Sequence, residues 1–115
     1  MAKFAPPEPQ EFVIAFGVEA AVTGDTQFTI DFSEVVDDCL EFSYDVLGGS
    51  VAVTWSPART GPTFTIFREG ATLLRIIDEY GSSKIMIDFS TDDTVGAMET
   101  QIFPHIVISD RTLLR

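Results

Sequence analysis

Several ingredients of enzymes and metalloproteins are scarce in this sequence. Its 115 residues include one cysteine, Cys39, and one histidine, His105, so it forms no disulfide within the chain and holds no Cys/His zinc cluster. We expect Cys39 to be a half-buried structural thiol and His105 a surface residue. No G-x-S-x-G nucleophile pattern and no glycine-rich phosphate loop occur. We therefore predict a protein that is not an enzyme, with no catalytic residues, no metal site and no cofactor.

Long apolar runs are also missing. No stretch approaches the roughly 18 apolar residues that a membrane span needs, and the N-terminal sequence MAKFAPPEPQ lacks the apolar core of a signal peptide. The sequence therefore predicts a soluble cytoplasmic protein. Its formal net charge of −11 repels nucleic acids and anionic membranes, and we exclude both as partners.

Basic residues are absent from almost the whole first half of the chain. Residues 4–58 contain ten Asp or Glu and no Lys or Arg, whereas residues 59–115 contain eight acidic and six basic residues. A charge asymmetry of this kind indicates a surface that binds a cationic partner.

Apolar and polar residues alternate over long segments of the sequence. The apolar fraction is 45%, and ten residues are Phe. Apolar side chains occupy even positions over residues 12–22 and again over 28–32, as expected for strands with one buried face. The alternation predicts a single β-rich domain over residues 11–115, preceded by a flexible proline-rich tail over residues 1–10.

Two hairpins are predicted between residues 28 and 55. A Gly48-Gly49 turn pairs Val46 with Val51 and Phe42 with Trp55, which places Trp55 in the core. Before it, a three-residue loop over residues 37–39 keeps apolar residues opposite one another, with Phe32 facing Tyr44 and Ile30 facing Val46. A short helix over residues 33–41 is the alternative.

The second half of the chain continues in the same manner. Segment 70–81 is predicted to be a strand that pairs Ile77 with Ile85, and a helix over residues 70–80 is the alternative. Residues 84–90 form a strand, residues 90–94 a polar loop, and residues 99–109 the last strand, with Pro104 at a sheet edge or bulge. The predicted fold is mainly β: an antiparallel meander of seven or eight strands in a β-sandwich or open barrel, with α+β as the alternative if 70–80 is helical.

The predicted register of the 28–46 hairpin gathers acidic side chains on one outward face. Asp31 lies opposite Asp45 there, Glu41 shares the face, and the loop tip adds two further carboxylates. Glu34 is the exception, because it falls inward opposite Phe42. The predicted partner-binding residues are Asp31, Asp37, Asp38, Glu41 and Asp45.

These observations predict a non-enzymatic binding module that presents an acidic β-face to a basic protein surface. An inhibitor or immunity-type protein for a cationic toxin or nuclease would use such a face. One alternative is a structural protein of phage or secretion-apparatus type, forming a homo-oligomer through an edge strand. Another is a Ca²⁺-dependent module using Asp88, Asp92 and Asp93, although these residues lack the spacing of a dedicated calcium loop.

Overall fold

Two antiparallel β-sheets and one α-helix make up residues 4–115, the part of the chain that the computed structural model describes. The first sheet has the strand order β1-β2-β3-β4-β5, and the second has the order β6-β7-β8-β9. The elements are α1 (Pro9–Phe16), β1 (Ala21–Val22), β2 (Gln27–Asp31), β3 (Cys39–Asp45), β4 (Ser50–Ser56), β5 (Phe64–Glu69), β6 (Ala71–Glu79), β7 (Ser82–Ser90), β8 (Thr94–Phe103) and β9 (Val107–Leu114). The prediction of a mainly antiparallel β fold is confirmed, and the described chain has nine strands where seven or eight were predicted.

The core lies between the inner faces of the two sheets. Phe42 and Tyr44 of β3 are buried on one side, and Ile85 and Ile87 of β7 on the other, and all four belong to one hydrophobic cluster. Full burial of one such aliphatic or phenyl side chain stabilises a fold by about 1.5–3 kcal/mol. Because strand side chains alternate, every second residue of these strands points away from the core, onto the outer faces of the two sheets.

Residues 12–22 do not form the predicted strand, because the first of them belong to α1. Pro9 stands in the first turn, and the backbone N–H of Glu8 donates to the carboxylate of Glu11 at 2.8 Å. Gly17 ends the helix with a φ of 80°, which favours glycine. None of the helices formed by residues 4–115 is long and apolar enough to cross a membrane.

The aromatic residues of α1 explain why the strand prediction is wrong there. Phe12 and Phe16 are four residues apart, so they share one helical face as well as the even positions of a strand. Phe12 stacks on Tyr44, and Phe16 packs edge-on against Phe32. Tertiary packing against these rings and the caps at both helix ends decide in favour of the helix.

The described part of the predicted tail is held against the second sheet. Phe4 is buried beside Tyr44. The N–H of Ala5 donates to the carbonyl of Thr72, and its carbonyl accepts from the N–H of Leu74, each at 3.1 Å. Residues 4–10 therefore do not behave as a free extension in this structure; residues 1–3 of the predicted tail lie outside the described residues.

Segment 70–81 forms β6, so the strand prediction is confirmed and the helix alternative is wrong. A two-residue turn, Tyr80-Gly81, joins β6 to β7, and Gly81 supplies the positive φ of 72°. The register differs from the prediction by one residue, since Ile76 and not Ile77 lies opposite Ile85. A one-residue slip exchanges faces, and Ile77 therefore points outward beside Lys84.

The predicted last strand is divided between two strands. β8 ends at Phe103 and β9 begins at Val107, with Pro104 and His105 exposed in the turn between them. Since proline has no N–H to donate, the ladder is interrupted at this position. The predicted polar loop at residues 90–94 joins β7 to β8.

Candidate functional site

The outer face of the first sheet carries the side chains that alternation turns away from the core. We call the three rows of this surface that span β2 to β5 the acidic face, and the Cys39–Ser56 pair lies beyond these rows, at the tip. The residues of the acidic face are Gln27, Thr29, Asp31, Glu41, Ser43, Asp45, Ser50, Ala52, Thr54, Thr65, Phe67 and Glu69. Four of these twelve positions are carboxylates, and none of the twelve is Lys or Arg. The remaining side chains are small or uncharged, with Phe67 as the one large apolar residue of this set.

Two features keep cations off the acidic face. Residues 4–58, which supply β2 to β4, contain no Lys or Arg. β5 contains Arg68, but this residue lies opposite buried Val51 and turns inward. Its guanidinium lies 4.1 Å from the centroid of the Phe89 ring and forms an ion pair with Asp110 of β9. The charge asymmetry between the two halves of the sequence thus leaves the acidic face without Lys or Arg.

The outer face of the second sheet mixes both signs of charge. Arg75 lies 3.7 Å from the carboxylate of Asp88, and Lys84 lies 2.6 Å from that of Glu99. Opposite charges on neighbouring strands neutralise each other there. The two outer faces therefore present different electrostatic surfaces on opposite sides of the sandwich.

Asp31 lies directly opposite Glu41 across β2 and β3, and both side chains are exposed. The prediction that Asp31 faces Asp45 is wrong by four residues of register, because Ile30 pairs with Phe42 rather than Val46. A seven-residue loop, 32–38, replaces the predicted loop over residues 37–39 and begins with a 3-10 turn. Since the shift is an even number of residues, the predicted faces of β2 and β3 are preserved.

The loop itself places Glu34 differently from the prediction. Glu34 ends the 3-10 turn Phe32–Glu34 and is exposed, so it does not point into the core opposite Phe42. The Asp31 carboxylate accepts a hydrogen bond from the N–H of Ser33 at 2.9 Å and caps this turn. The capping turn, which the alternation of apolar residues does not reveal, accounts for the shifted register.

The turn between β3 and β4 also differs from the predicted Gly48-Gly49 turn. Asp45 pairs with Ser50 and Tyr44 with Val51, leaving the four residues 46–49 in the turn. Gly49 has a φ of 66°. The predicted register of this hairpin is therefore wrong by two residues, which again preserves the faces: Trp55 packs on the core, opposite Leu40 rather than Phe42.

Asp45 holds this turn together. Its Oδ1 accepts hydrogen bonds from the N–H of Gly48 at 3.0 Å, the hydroxyl of Thr26 at 2.6 Å and the N–H of Leu47 at 3.1 Å. The Gly48 amide, followed by the Thr26 hydroxyl, lowers the pKa of Asp45 below its ordinary value, because both bonds favour the charged carboxylate. Asp45 lies on the acidic face opposite Gln27, but one of its oxygens has a structural role.

Asp38 has a similar structural role at the tip of the sheet. Its carboxylate accepts hydrogen bonds from the N–H of Ala58 at 2.8 Å and from the indole N–H of Trp55 at 2.9 Å. The Ala58 amide, then the Trp55 indole, lowers the pKa of Asp38. Asp37, its neighbour, is exposed. The structure therefore brings Asp31, Glu41 and Asp45 onto one face and leaves Asp37 and Asp38 at its end.

Arg59 is a residue of the tip whose role sequence reasoning missed. Its guanidinium donates to the backbone carbonyls of Ser33, Val36 at 3.3 Å and Asp37 at 2.9 Å. This first cation after the acidic half folds back over the loop that precedes β3 and lies close enough to Asp38 to stabilise its charged form. The tip therefore carries a counter-charge, although the predicted register placed only carboxylates there.

Two depressions lie on the acidic face. One, of about 590 Å³, is lined by two apolar residues, three uncharged polar residues and four carboxylates, and those carboxylates are Glu19, Asp31, Glu34 and Glu41. The other, of about 130 Å³, lies among Gln27, Ser43, Asp45, Ser50, Ala52 and Phe67. Glu19, Glu69 and Phe67 were not among the predicted site residues. Alternation along β5 could have indicated that Phe67 and Glu69 point outward.

The carboxylates considered for calcium do not gather into a site. Asp88 is paired with Arg75, while Asp92 and Asp93 lie in the exposed loop before β8. Across residues 4–115, no three or more His, Cys, Asp or Glu side chains come close enough together to hold a metal ion. Cys39 is half-buried.

Comparison with known proteins adds one finding to this geometry. No protein-family model matches the chain, and no curated protein matches it. The chain is similar to a chain in the solved structure of a contact-dependent growth inhibition toxin - immunity protein complex from Klebsiella pneumoniae 342. The two share 17% sequence identity with a TM-score of 0.81, over 98% of this chain and 100% of that chain. At this identity the likeness shows a common fold.

Proposed function

We propose that this protein is an immunity-type binding module that neutralises a cationic toxin or nuclease through the acidic face. The module acts by covering its partner, without catalysis of its own, and it acts in the cytoplasm. The single observation that carries the proposal is a sheet face with four carboxylates and no Lys or Arg among its twelve positions. Such a face attracts a basic partner over distance and favours it over acidic competitors.

The arrangement of charge supports binding rather than solubility as the purpose of this face. Asp31 and Glu41 are both exposed and face each other directly, and like charges in that position cost a strand pair roughly 0.2–1 kcal/mol. Solubility alone would be served equally well by the mixed charges of the second sheet. A basic side chain of a partner placed between the two carboxylates would relieve this repulsion.

The fold comparison supports the same proposal from an independent direction. The similar chain belongs to a complex between a growth-inhibiting toxin and its immunity protein. The acidic face suits the immunity component of such a complex. Its toxin partner would then carry the complementary basic surface. The prediction from sequence of an immunity-type protein is supported by this likeness.

The five predicted residues have different roles within the proposal. Glu41 is exposed and can meet the partner, Asp31 can do so while one of its oxygens caps the turn after β2, and Asp37 extends the charge at the tip. Asp38 and Asp45 contribute charge while holding their own loops in place. The D31N and E41Q variants report on binding, because asparagine keeps an acceptor for the Ser33 N–H, whereas variants at Asp38 and Asp45 also report on folding.

The proposal is tested with the proteins encoded by the two genes that flank the gene for this chain. Each is expressed in a bacterial host alone and together with this chain. We expect one of them to arrest growth alone, to permit growth with this chain, and to bind it after purification. The D31N/E41Q variant should protect less well than the wild type, and the matched D92N/D93N variant should protect equally well. Failure of this chain to bind or protect against either neighbour would contradict the proposal.

Self-association through β9 is a second candidate function. β9 is an edge strand of the second sheet, and Leu113 and Leu114 are 68% and 85% exposed. Unpaired backbone groups and apolar side chains on an edge favour pairing with another chain. Sedimentation at several protein concentrations tests this, and a monomer at all of them contradicts it.

A further inference from the structure

Phe67 is the one large apolar side chain among the twelve positions of the acidic face, and it is 60% exposed. Its neighbour across the ladder is Ala52, and the next position in the same row is Ser43. These small residues leave the depression of about 130 Å³ in front of the ring, with Asp45 on its wall. An aromatic ring beside a hollow resembles the anchoring positions of protein interfaces.

Asp45 lines this hollow, and Glu69 lies outside its lining, one row along the face from Phe67. Asp45 on β3 and Glu69 on β5 are the two cross-strand neighbours of Ser50 on β4. These three residues form the row of the face that lies beside the row containing Phe67. Glu69 is two residues from Phe67 on the same strand, so their side chains share the outer face at a spacing of about 7 Å. Within residues 4–115 the three hydrogen bonds to Asp45 all use Oδ1, so that Oδ2 is the atom that would accept a donor from a partner.

The ring and the carboxylates together suit one kind of side chain. The face of a phenyl ring attracts a cation, and the planar guanidinium of arginine stacks on it while donating to carboxylates in its own plane. This protein already contains such an arrangement internally, where Arg68 lies over the ring of Phe89 and pairs with Asp110. A lysine ammonium lacks the plane that stacks and the second donor edge that bridges two acceptors.

We propose that the hollow beside Phe67 receives an arginine side chain of the basic partner, stacked on the Phe67 ring and hydrogen-bonded to Asp45 Oδ2 and Glu69. The inference rests on the proposed function, because it assigns the anchoring contact within the acidic face. Asp31 and Glu41 then attract the partner, and Phe67 holds it. The first pair governs the rate of association, and the anchor governs the rate of dissociation.

The first experiment uses N-acetyl-arginine amide and N-acetyl-lysine amide as probes of the free protein, followed by NMR. We expect arginine to shift the ring signals of Phe67 and the amide signals of Ala52 and Asp45 at least twice as far as lysine at equal concentration. The F67L variant should lose the difference between the two probes. Equal shifts for both probes, or shifts spread evenly over the acidic face, would overturn the inference.

The second experiment uses the neighbouring toxin identified by the growth assay. We expect F67L to weaken binding roughly tenfold through faster dissociation, with the salt dependence unchanged. The matched control is F64L, at a residue that is 53% exposed but directed to the inner side opposite Trp55. If F67L binds like the wild type while D31N/E41Q binds weakly, the anchor is wrong and the acidic face stands. If neither variant changes binding, the proposed function also fails.

Discussion

Asp31 and Glu41 occupy directly opposed positions on β2 and β3, both exposed. Opposite charges or an uncharged polar pair at these two positions would make the sheet more stable. The neighbouring pairs on this face, Thr29 with Ser43 and Glu41 with Thr54, add no cation. The direct opposition of these two exposed carboxylates is the feature that most directly connects the sequence composition to the proposed partner binding.

Removing one of the two charges should stabilise the free protein. We expect E41Q to raise the free energy of unfolding by about 0.2–1 kcal/mol, because glutamine relieves the repulsion with Asp31 and retains a hydrogen-bonding side chain. Urea unfolding at low salt measures the change, and added salt should diminish it by screening. The control is E79Q, whose cross-strand neighbour is Ser82. Destabilisation of E41Q relative to E79Q would show that no repulsion operates.

Asp38 should stabilise the tip in a pH-dependent manner. Its pKa is lowered in the folded state from the ordinary value of 3.8, chiefly by the Ala58 amide and the Trp55 indole. A lowered folded-state pKa gives stability that is present above the unfolded pKa and lost as the pH falls through the folded value. We expect D38N to be less stable than the wild type at neutral pH, with the difference shrinking below about pH 3.8. Unfolding followed by Trp55 fluorescence against pH measures this; a difference independent of pH would contradict it.

Arg59 should hold the loop that precedes β3. Its guanidinium donates to three backbone carbonyls of residues 33–37, and a lysine cannot reproduce that planar set of bonds. We expect R59K to speed amide hydrogen exchange over residues 33–39 while leaving exchange in β7 unchanged. R111K is the matched control, on the outer face of the second sheet. Equal exchange rates over residues 33–39 in R59K and the wild type would show that the Arg59 hydrogen bonds do not stabilise this loop.

Arg68 should stabilise the side of the sandwich where β5 approaches β9. Its side chain is 13% exposed, and that of Asp110 is 30% exposed, so removing the cation leaves a partly buried carboxylate without its partner. We expect R68M to lower the free energy of unfolding by about 1–3 kcal/mol. The R68M/D110N double variant should recover part of this loss, as measured by chemical unfolding. A double variant no more stable than R68M would place the effect in packing on Phe89 instead.

The sequence was sufficient to predict which side of most strands faces the core, because burial imposes a period of two. Phe42, Tyr44 and Val53 are all buried as their positions require. Loop lengths were predicted poorly, because they depend on local bonds such as those of Asp31 to Ser33 and of Asp45 to Gly48. Each of these bonds lies in a turn that is longer than predicted. The neighbouring strand residues keep their predicted faces, because both register shifts are even.

The helix and the tip illustrate two further limits of sequence reasoning. Residues 12–16 satisfy both the strand and the helix period, and the choice depends on caps at Glu8 and Gly17 and on aromatic packing. The contact of Arg59 with residues 33–37 joins segments more than twenty positions apart, which no local pattern indicates. The acidic face itself was predictable in kind, but Phe67 and Glu69 entered it only through the position of β5.

The role of the acidic face is tested by the association rate constant with the neighbouring toxin, recorded against ionic strength for three proteins. These are the wild type, D31N/E41Q, and D92N/D93N, whose charge is changed equally but in the loop before β8. We expect the wild type and D92N/D93N to associate rapidly and to slow steeply with added salt. D31N/E41Q should associate roughly three- to tenfold more slowly at low salt, with a shallower dependence. Identical rates and slopes for D31N/E41Q and D92N/D93N would contradict a role for the acidic face.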